Sequence, residues 1–488
     1  MNRYYYGLLF VLGTCLLLSL AYAPPFDIQD GDKGFFKYTG MAVLRGQIPY
    51  RDFFDHKPPM IFFLNFAGLW LGSWGLWLIN TSLALFCTFL LFRLCRQYRL
   101  IYPWLLPFLF NLMIRDNLIT KGANYTREYT TFFMVLFFCI LLGKYRYRHF
   151  ILGLLSALIF FTQQDQVLAL TPFLFYALLT NDAVPVLARL LRLALGFLSV
   201  TLPIILYFAI NRSLVYFWED AFIFNITVYI GEKKSIGDHF RTIKRQLDNG
   251  NYEIPFMISL ILGSLSLFLP NRKKGLVLAA LIAMILSMSS ELMGGRLMGT
   301  GVPQDFSGYF LPLSGTVCIL LFTVFAFTED SLWTRKTAQL PYALLLCCSL
   351  VYTAIQHGAH LPRRDLNPLL NKPDLGYLRQ QNLSDYQLYV LFDDVQRYNE
   401  LKILAPSRWV YQHLWKWYRK WDTDDRLLQS IGQDLLRHKT RYVVIGPEGF
   451  TGFVNPASRE WWKSFMQTHY RPVPLPGEQG SSLWEWKD

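Results

Sequence analysis

Residues 7–23, GLLFVLGTCLLLSLAYA, form an apolar run close to the length of a membrane-spanning helix. Similar runs recur up to about residue 356, for example WLINTSLALFCTFLLF at 77–92, TTFFMVLFFCILLG at 130–143 and LALGFLSVTLPIILYFAI at 193–210. The chain has 488 residues, of which 53% are hydrophobic and only 17% charged, so it is more apolar than an ordinary soluble domain. The sequence therefore predicts a polytopic α-helical membrane protein with about 11 transmembrane helices.

The net charge of +13 is concentrated in basic clusters that follow alternate apolar runs. The clusters are Arg93, Arg96 and Arg99; Lys144, Arg146 and Arg148; Arg189 and Arg192; Arg272, Lys273 and Lys274; and Arg335 and Lys336. Because basic residues mark cytoplasmic loops, this alternation predicts a cytoplasmic N-terminus and accounts for the charge without nucleic-acid binding. The first run also imitates a signal peptide, but Pro24 directly after AYA favours an uncleaved span.

The same topology predicts a large first outer loop, residues 24–73, which is long enough to hold folded structure. Inside it, the short apolar stretch 58–72, PPMIFFLNFAGLWLG, is predicted to lie in the membrane interface. After residue 356 the pattern changes, because strand-like stretches (YQLYVLF, SRWVYQH, TRYVVIG and SSLWEWK) alternate with helical ones. We therefore expect a membrane domain over 1–356 and an exported, soluble α/β domain over 357–488.

Charged side chains crowd the first outer loop. They are Asp27, Asp30, Asp32, Lys33, Lys37, Arg45, Arg51, Asp52, Asp55, His56 and Lys57. Exposed ion pairs on a solvated loop are one interpretation. The alternative is a functional site, because a partly desolvated carboxylate can act as a general base while nearby lysines and arginines hold a phosphate. Glu128 and Arg296, at the outer ends of later spans, are either interfacial anchors or members of the same cavity.

Residues 30–64, DGDKGFFKYTGMAVLRGQIPYRDFFDHKPPMIFFL, resemble the first loop of the GT-C superfamily of polyprenyl-phosphate-dependent glycosyltransferases. The resemblance is to the branch of the protein O-mannosyltransferases and the lipid A aminoarabinose transferase. GANYTREY at 122–129 and GGRLMGTGVPQDFSGYFLP at 294–312 support it. It covers the membrane part, whereas the tail is similar only in kind.

This resemblance implies an integral membrane glycosyltransferase of the bacterial inner membrane. It would move a sugar, with inversion, from a polyprenyl-phosphate carrier to a glycan, lipid or protein acceptor on the outer face. The matching positions imply catalytic roles for Asp32 and Glu128, and donor-phosphate binding by Lys57, Arg296 and Tyr309. Asp55 and His56 would support Lys57 by orienting it.

The chain departs from the family at one of these positions, because Lys33 follows Asp32 where many members have Glu. That departure weakens any case for a metal. No metal site or other cofactor is indicated, although a divalent metal is not excluded.

Two other classes of protein fit parts of the sequence. A transporter or flippase of lipid-linked sugars would also have many spans and charged cavity groups. It would place ionisable residues at mid-membrane, but few lie within the apolar runs, and the notable one, Asp165 in FFTQQDQVLAL, is expected at the outer end of its spans. A membrane-anchored receptor would explain the tail but not the first loop.

Overall fold

The structure, a computed structural model, describes residues 3–20, 22–24, 31–100, 102–115, 124–180, 184–229, 253–268, 273–288, 311–327, 372–410, 426–447, 449, 456–475 and 482–487. The helices before residue 330 are α1 (Arg3–Leu20), α2 (Gly31–Leu44), α3 (Met60–Trp70), α4 (Gly75–Gln97), α5 (Leu105–Ile114), α6 (Thr126–Leu142), α7 (Arg148–Thr162), α8 (Val167–Leu179), α9 (Val186–Ile210), α10 (Leu214–Trp218), α11 (Glu253–Phe268), α12 (Lys274–Leu286) and α13 (Leu311–Phe327). The chain is therefore mostly helical, as the sequence predicts.

The helix α6 forms the centre of the helical part. Every position in it except Arg127 is buried, and it packs against α4, α7 and α13. A helix that is apolar all round needs such a position, because it has no face suited to solvent. By contrast, several leucines of α9 are exposed, including Leu191, Leu195 and Leu202.

Two of the described helices, α4 with 23 residues and α9 with 25, are long and apolar enough to cross a membrane. Seven more are apolar but shorter, among them α5, α7 and α12. The predicted number of spans therefore stays a prediction.

The segment predicted to be the first outer loop contains two packed helices within its described residues, α2 and α3. The helix α3 occupies most of the stretch 58–72 that was predicted to lie in the membrane interface, whereas α2 was not foreseen. The two helices approach closely at Gly40, where a side-chain Cβ would lie only 2.7 Å from the carbonyl carbon of Asn65. Only glycine fits there, so this contact fixes how α2 lies on α3.

The C-terminal region, by which we mean the described residues from 372 onward, contains a four-stranded sheet. Its elements are α14 (Pro373–Gln380), β1 (Leu388–Leu391), α15 (Gln396–Leu401), α16 (Arg426–His438), β2 (Tyr442–Ile445), α17 (Pro456–His469), β3 (Tyr470–Val473) and β4 (Ser482–Trp486). The strand order is β1-β2-β4-β3, with β1 and β2 parallel and the other pairs antiparallel. This is the strand and helix alternation that the sequence predicts, although the domain boundary at 357 lies outside the described residues.

One predicted strand, at 407–413, is wrong over its described residues 407–410, which form no strand. The backbone oxygen of Arg408 instead accepts a hydrogen bond from the Phe54 amide at 2.8 Å, so this segment binds the first outer loop rather than the sheet. The edge strand β3 was missed because it directly follows α17 and contains Pro472, which only an edge strand tolerates.

A buried ion pair joins the C-terminal region to the helical part. After α10 the chain winds into two π-helical turns, Glu219–Ile223 and Asn225–Tyr229. The first turn carries Asp220, whose buried carboxylate accepts a hydrogen bond from the Arg408 guanidinium. Burial is the main reason that the pKa of Asp220 rises from 3.8 to about 7, and Arg408 opposes the rise.

We predict that titration of the buried Asp220 carboxyl makes stability depend on pH. The folded protein keeps the Asp220 proton up to about pH 7, whereas the unfolded chain loses it near 3.8, so the contribution of Asp220 to the free energy of unfolding falls between those values. The midpoint of thermal unfolding, followed by tryptophan fluorescence in detergent, should therefore fall less between about pH 5 and pH 7, the upper part of that window, in Asp220→Asn than in wild type. Glu460→Gln, which removes an exposed carboxylate on α17, is the control and should keep the wild-type slope. An unchanged slope in Asp220→Asn would refute the prediction.

A second prediction concerns the contact between α2 and α3. Gly40→Val would force the two backbones apart and should lower the free energy of unfolding by about 1–3 kcal/mol or more, as overpacking does. The matched control is Gly13→Val in α1, where a Cβ meets nothing within 4 Å. Equal unfolding midpoints for the two variants would contradict this account of the contact.

Candidate active site

Two of the predicted site residues, Asp32 and Lys57, meet in the first outer loop. Asp32 lies in the first turn of α2 and Lys57 in the turn before α3. The Lys57 Nζ atom is 3.3 Å from Asp32 Oδ2, and the two side chains keep 12% and 26% of their surface exposed. The Lys57 ammonium also lies 4.9 Å from the centre of the Phe36 ring, one helical turn after Asp32. A carboxylate and an ammonium are therefore held together with part of each side chain exposed.

The backbone of the turn around Lys57 is fixed by hydrogen bonds. Asp55 Oδ1 accepts the amide of His56 at 2.7 Å and that of Lys57 at 3.3 Å. The Tyr50 hydroxyl donates to the Lys57 carbonyl at 2.7 Å, and Asn225 Nδ2 donates to the His56 carbonyl at 2.6 Å. Pro59 then leads directly into α3. The structure thus places Asp55 where it orients the turn that carries Lys57.

His56 is buried and faces the Asp55 carboxylate. Its Nδ1 atom lies 3.2 Å from Asp55 Oδ1, and its ring is 6.0 Å from that of Phe224. Burial lowers the pKa of His56, and the hydrogen bond to Asp55 only partly opposes this. A histidine with a lowered pKa is neutral at pH 7, so it adds no positive charge for a phosphate. The supporting role of His56 stays a prediction.

Glu128 occupies a different setting from Asp32. It lies in the first turn of α6, where Arg115 Nη1 contacts its Oε1 at 2.6 Å and the Asn124 amide donates to its Oε2 at 2.9 Å. Both side chains are almost fully buried, at 0% exposed for Glu128 and 1% for Arg115. The Arg115 guanidinium is also close to the rings of Tyr22 and Phe132. This carboxylate already has a buried partner for its charge.

A pair of asparagines connects this buried ion pair to the first outer loop. Asn65 of α3 and Asn124 exchange two side-chain hydrogen bonds, at 3.0 and 2.8 Å. Asn124 has a positive φ of 86°, a conformation that asparagine tolerates better than most residues. Lys33, beside Asp32, is buried with its Nζ 5.9 Å from the Tyr125 ring. The start of α2 therefore lies against the start of α6.

Sequence reasoning missed Arg115, Asn65 and Asn124. A single polar residue inside an apolar run, such as Asn65 in MIFFLNFAGLW, was the available signal. Arg296 and Tyr309, predicted to bind phosphate, lie outside the described residues, as do Asp27 and Asp30. Within the described part of the chain, no group of three or more His, Cys, Asp or Glu side chains could hold a metal ion.

Comparisons of the sequence with protein families and with curated proteins give no match. The structure is similar to ArnT from Cupriavidus metallidurans bound to undecaprenyl phosphate, with a TM-score of 0.59 and 12% sequence identity over 98% of this chain and 97% of that one. The apo form of ArnT gives a TM-score of 0.55 over the same shares. The oligosaccharyltransferase AglB from Archaeoglobus fulgidus, in complex with an inhibitory peptide and a dolichol-phosphate, gives 0.48 at 12% identity, over 99% of this chain and 74% of that one.

At this level of identity the similarity establishes a shared fold. It extends over nearly the whole of both chains in the case of ArnT. The chain therefore shares the fold of ArnT, whereas its membership of the GT-C superfamily and of any branch within it stays a prediction.

We predict that the Arg115–Glu128 pair is needed for folding. Glu128→Gln leaves the Arg115 charge buried without a counter-ion and should cost roughly 3 kcal/mol or more of stability. Replacing both residues, in Glu128→Gln with Arg115→Met, should cost less, because no buried charge is left alone. Thermal unfolding midpoints of the three proteins in detergent check this. A double variant that is less stable than Glu128→Gln would contradict it.

Proposed function

We propose that this protein is an integral membrane glycosyltransferase that moves a sugar from a polyprenyl-phosphate carrier to an acceptor on the outer face of the membrane. The observation that carries the proposal is the partly exposed pair of Asp32 and Lys57, 3.3 Å apart, at the start of α2 and just before α3. The fold supports it, because ArnT shares this fold and its structure contains undecaprenyl phosphate. In the first-loop resemblance, the same two positions match a catalytic acid and a phosphate-binding lysine.

The proposed reaction is a direct displacement with inversion. The acceptor hydroxyl oxygen attacks the anomeric carbon of the sugar while the bond from that carbon to the carrier phosphate oxygen breaks. The bonding electrons stay with the phosphate oxygen, and the Asp32 carboxylate takes the hydroxyl proton or orients the hydroxyl. Lys57 neutralises the charge that grows on the leaving phosphate, so it stabilises the transition state more than the ground state. Arg296 and Tyr309 are proposed to hold the same phosphate.

Glu128 has a different proposed role. Its carboxylate is buried against Arg115, and Asn124 links it to α3. A catalytic group must reach the substrate, whereas a buried ion pair fixes the elements around it. We therefore favour a positioning role for Glu128, in place of the catalytic one that the resemblance implies.

The proposed location is a bacterial inner membrane, with a cytoplasmic N-terminus and an extracytoplasmic C-terminal domain from residue 357. The alternating basic clusters support the orientation. The exposed leucines of α9 support contact with lipid, because a water-facing helix would not leave so many large apolar side chains uncovered. The hexose or pentose that is moved, and the acceptor, are open to experiment.

The test measures release of free polyprenyl phosphate from polyprenyl-phosphate sugars by the purified protein in lipid, with candidate acceptors present. Asp32→Asn should lower kcat by roughly 10²- to 10⁴-fold, the usual contribution of general acid–base catalysis. Lys57→Gln should lower it by about 10²-fold, as loss of one transition-state contact does. Lys37→Gln, with the same change of charge in the same loop, is the control and should keep wild-type activity.

Full activity in Asp32→Asn would remove Asp32 from the catalytic role. If wild type releases no polyprenyl phosphate from any donor while labelled lipid moves between the leaflets, the protein is a flippase and the proposed function is wrong.

A further inference from the structure

One face of α2 is bound along its whole length by the C-terminal region. The contacts are made by Gly31, Gly34 and Tyr38 of α2 and by Arg45, which directly follows the helix. Successive residues of this set are three, four and seven positions apart, so they lie on one side of the helix. We call these four residues the docking stripe. Each of them contacts the C-terminal region, and Asp32 is the immediate neighbour of the first.

The contacts of the docking stripe are mainly hydrogen bonds. Asn399 Nδ2 donates to the Gly34 carbonyl at 2.8 Å, and the Ala405 amide donates to the Tyr38 hydroxyl at 3.0 Å. At the far end, Arg45 donates to Asp385 Oδ1 and to the Lys402 carbonyl, each at 2.5 Å. At the near end, the Gly31 amide donates to Asp394 Oδ2 at 3.4 Å. The positive end of the helix dipole also favours a carboxylate at this position.

Other sides of α2 face the candidate active site and α3. Phe36 lies one turn after Asp32 and touches the Lys57 ammonium, while Gly40 packs against Asn65 of α3. The helix is therefore held between α3 and the C-terminal region. Any rotation of α2 about its axis would move Asp32 relative to Lys57.

The helix α2 is poorly suited to hold this orientation by itself. Three of its 14 residues are glycines, each of which disfavours an isolated helix by up to about 1 kcal/mol relative to alanine. A helix of this length is marginal in water even with good helix formers. Its form and orientation therefore depend on the two elements packed against it, which are α3 and, at the docking stripe, the C-terminal region.

We propose that the C-terminal region positions Asp32 for transfer by holding α2 through the docking stripe, with Asn399 as a positioning residue. This inference rests on the proposed function. It gives the C-terminal region a task in the chemical step, in addition to any part in choosing the acceptor. Because Asn399 touches α2 and not Lys57, it acts on the reaction only through the helix.

The experiment uses the full chain and two variants that each remove one docking contact, Asn399→Ala and Tyr38→Phe. Hydrogen–deuterium exchange, read by mass spectrometry, should be faster in peptides that cover the first turns of α2. In the same variants kcat should fall by about tenfold or more with an unchanged KM for the donor, because a small misplacement of a catalytic group is costly. Glu400→Gln is the matched control. Glu400 is the neighbour of Asn399 on α15, but it pairs with Arg379 and not with α2.

A double-mutant cycle separates positioning from general loss of stability. If Asn399 acts through Asp32, adding Asn399→Ala to Asp32→Asn should lower the remaining kcat by no more than about twofold, because coupled residues are not additive. The same loss in both backgrounds, or unchanged exchange in α2 of an active enzyme, would overturn the inference. A wild-type protein that transfers no sugar would overturn the proposed function instead, while exchange would still report the docking of α2.

Discussion

The close approach of α2 and α3 is the constraint on which the candidate active site depends. Asp32 is fixed to one helix and Lys57 to the turn before the other, so their 3.3 Å separation follows from how the two helices pack. Gly40 permits that packing, because any side chain there would meet the Asn65 backbone. The hydrogen bonds from Asp55 and Tyr50 then set the direction of Lys57.

Three ion pairs do different work in this protein. Arg115–Glu128 is almost fully buried, so each charge needs its partner. The pair of Asp220 and Arg408 connects the C-terminal region to the helical part. Asp32–Lys57, with 26% and 12% of the two side chains exposed, is more exposed than Arg115–Glu128 and costs less to separate. A pair that can open is the one suited to exchange its partner for a ligand, and this difference is why the proposed chemistry is assigned to it.

Much of this arrangement could be predicted from the sequence, because the charged cluster of the first loop and the apolar runs are local patterns. The resemblance to the GT-C first loop, and not the local pattern, singled out Asp32 and Lys57 within that cluster, and the structure brings the two side chains together. The helix α2 was missed, since DGDKGFFKYTG is rich in glycine and charge and becomes helical only through tertiary contacts. Arg115 and Asn65 were missed because their partners, Glu128 and Asn124, lie 13 and 59 positions away in sequence, and the one local signal was the polar Asn65 inside an apolar run.

The docking stripe limits which substitutions α2 and the C-terminal region can each accept. Gly34 accepts a bond from Asn399, and Tyr38 accepts one from the Ala405 backbone, so a loop helix and a C-terminal region more than three hundred residues later in the chain share one interface. A substitution on one side changes what the other side can tolerate. The two segments therefore have to change together. A chimera that replaces the C-terminal region with that of a distant homologue would also have to replace α2.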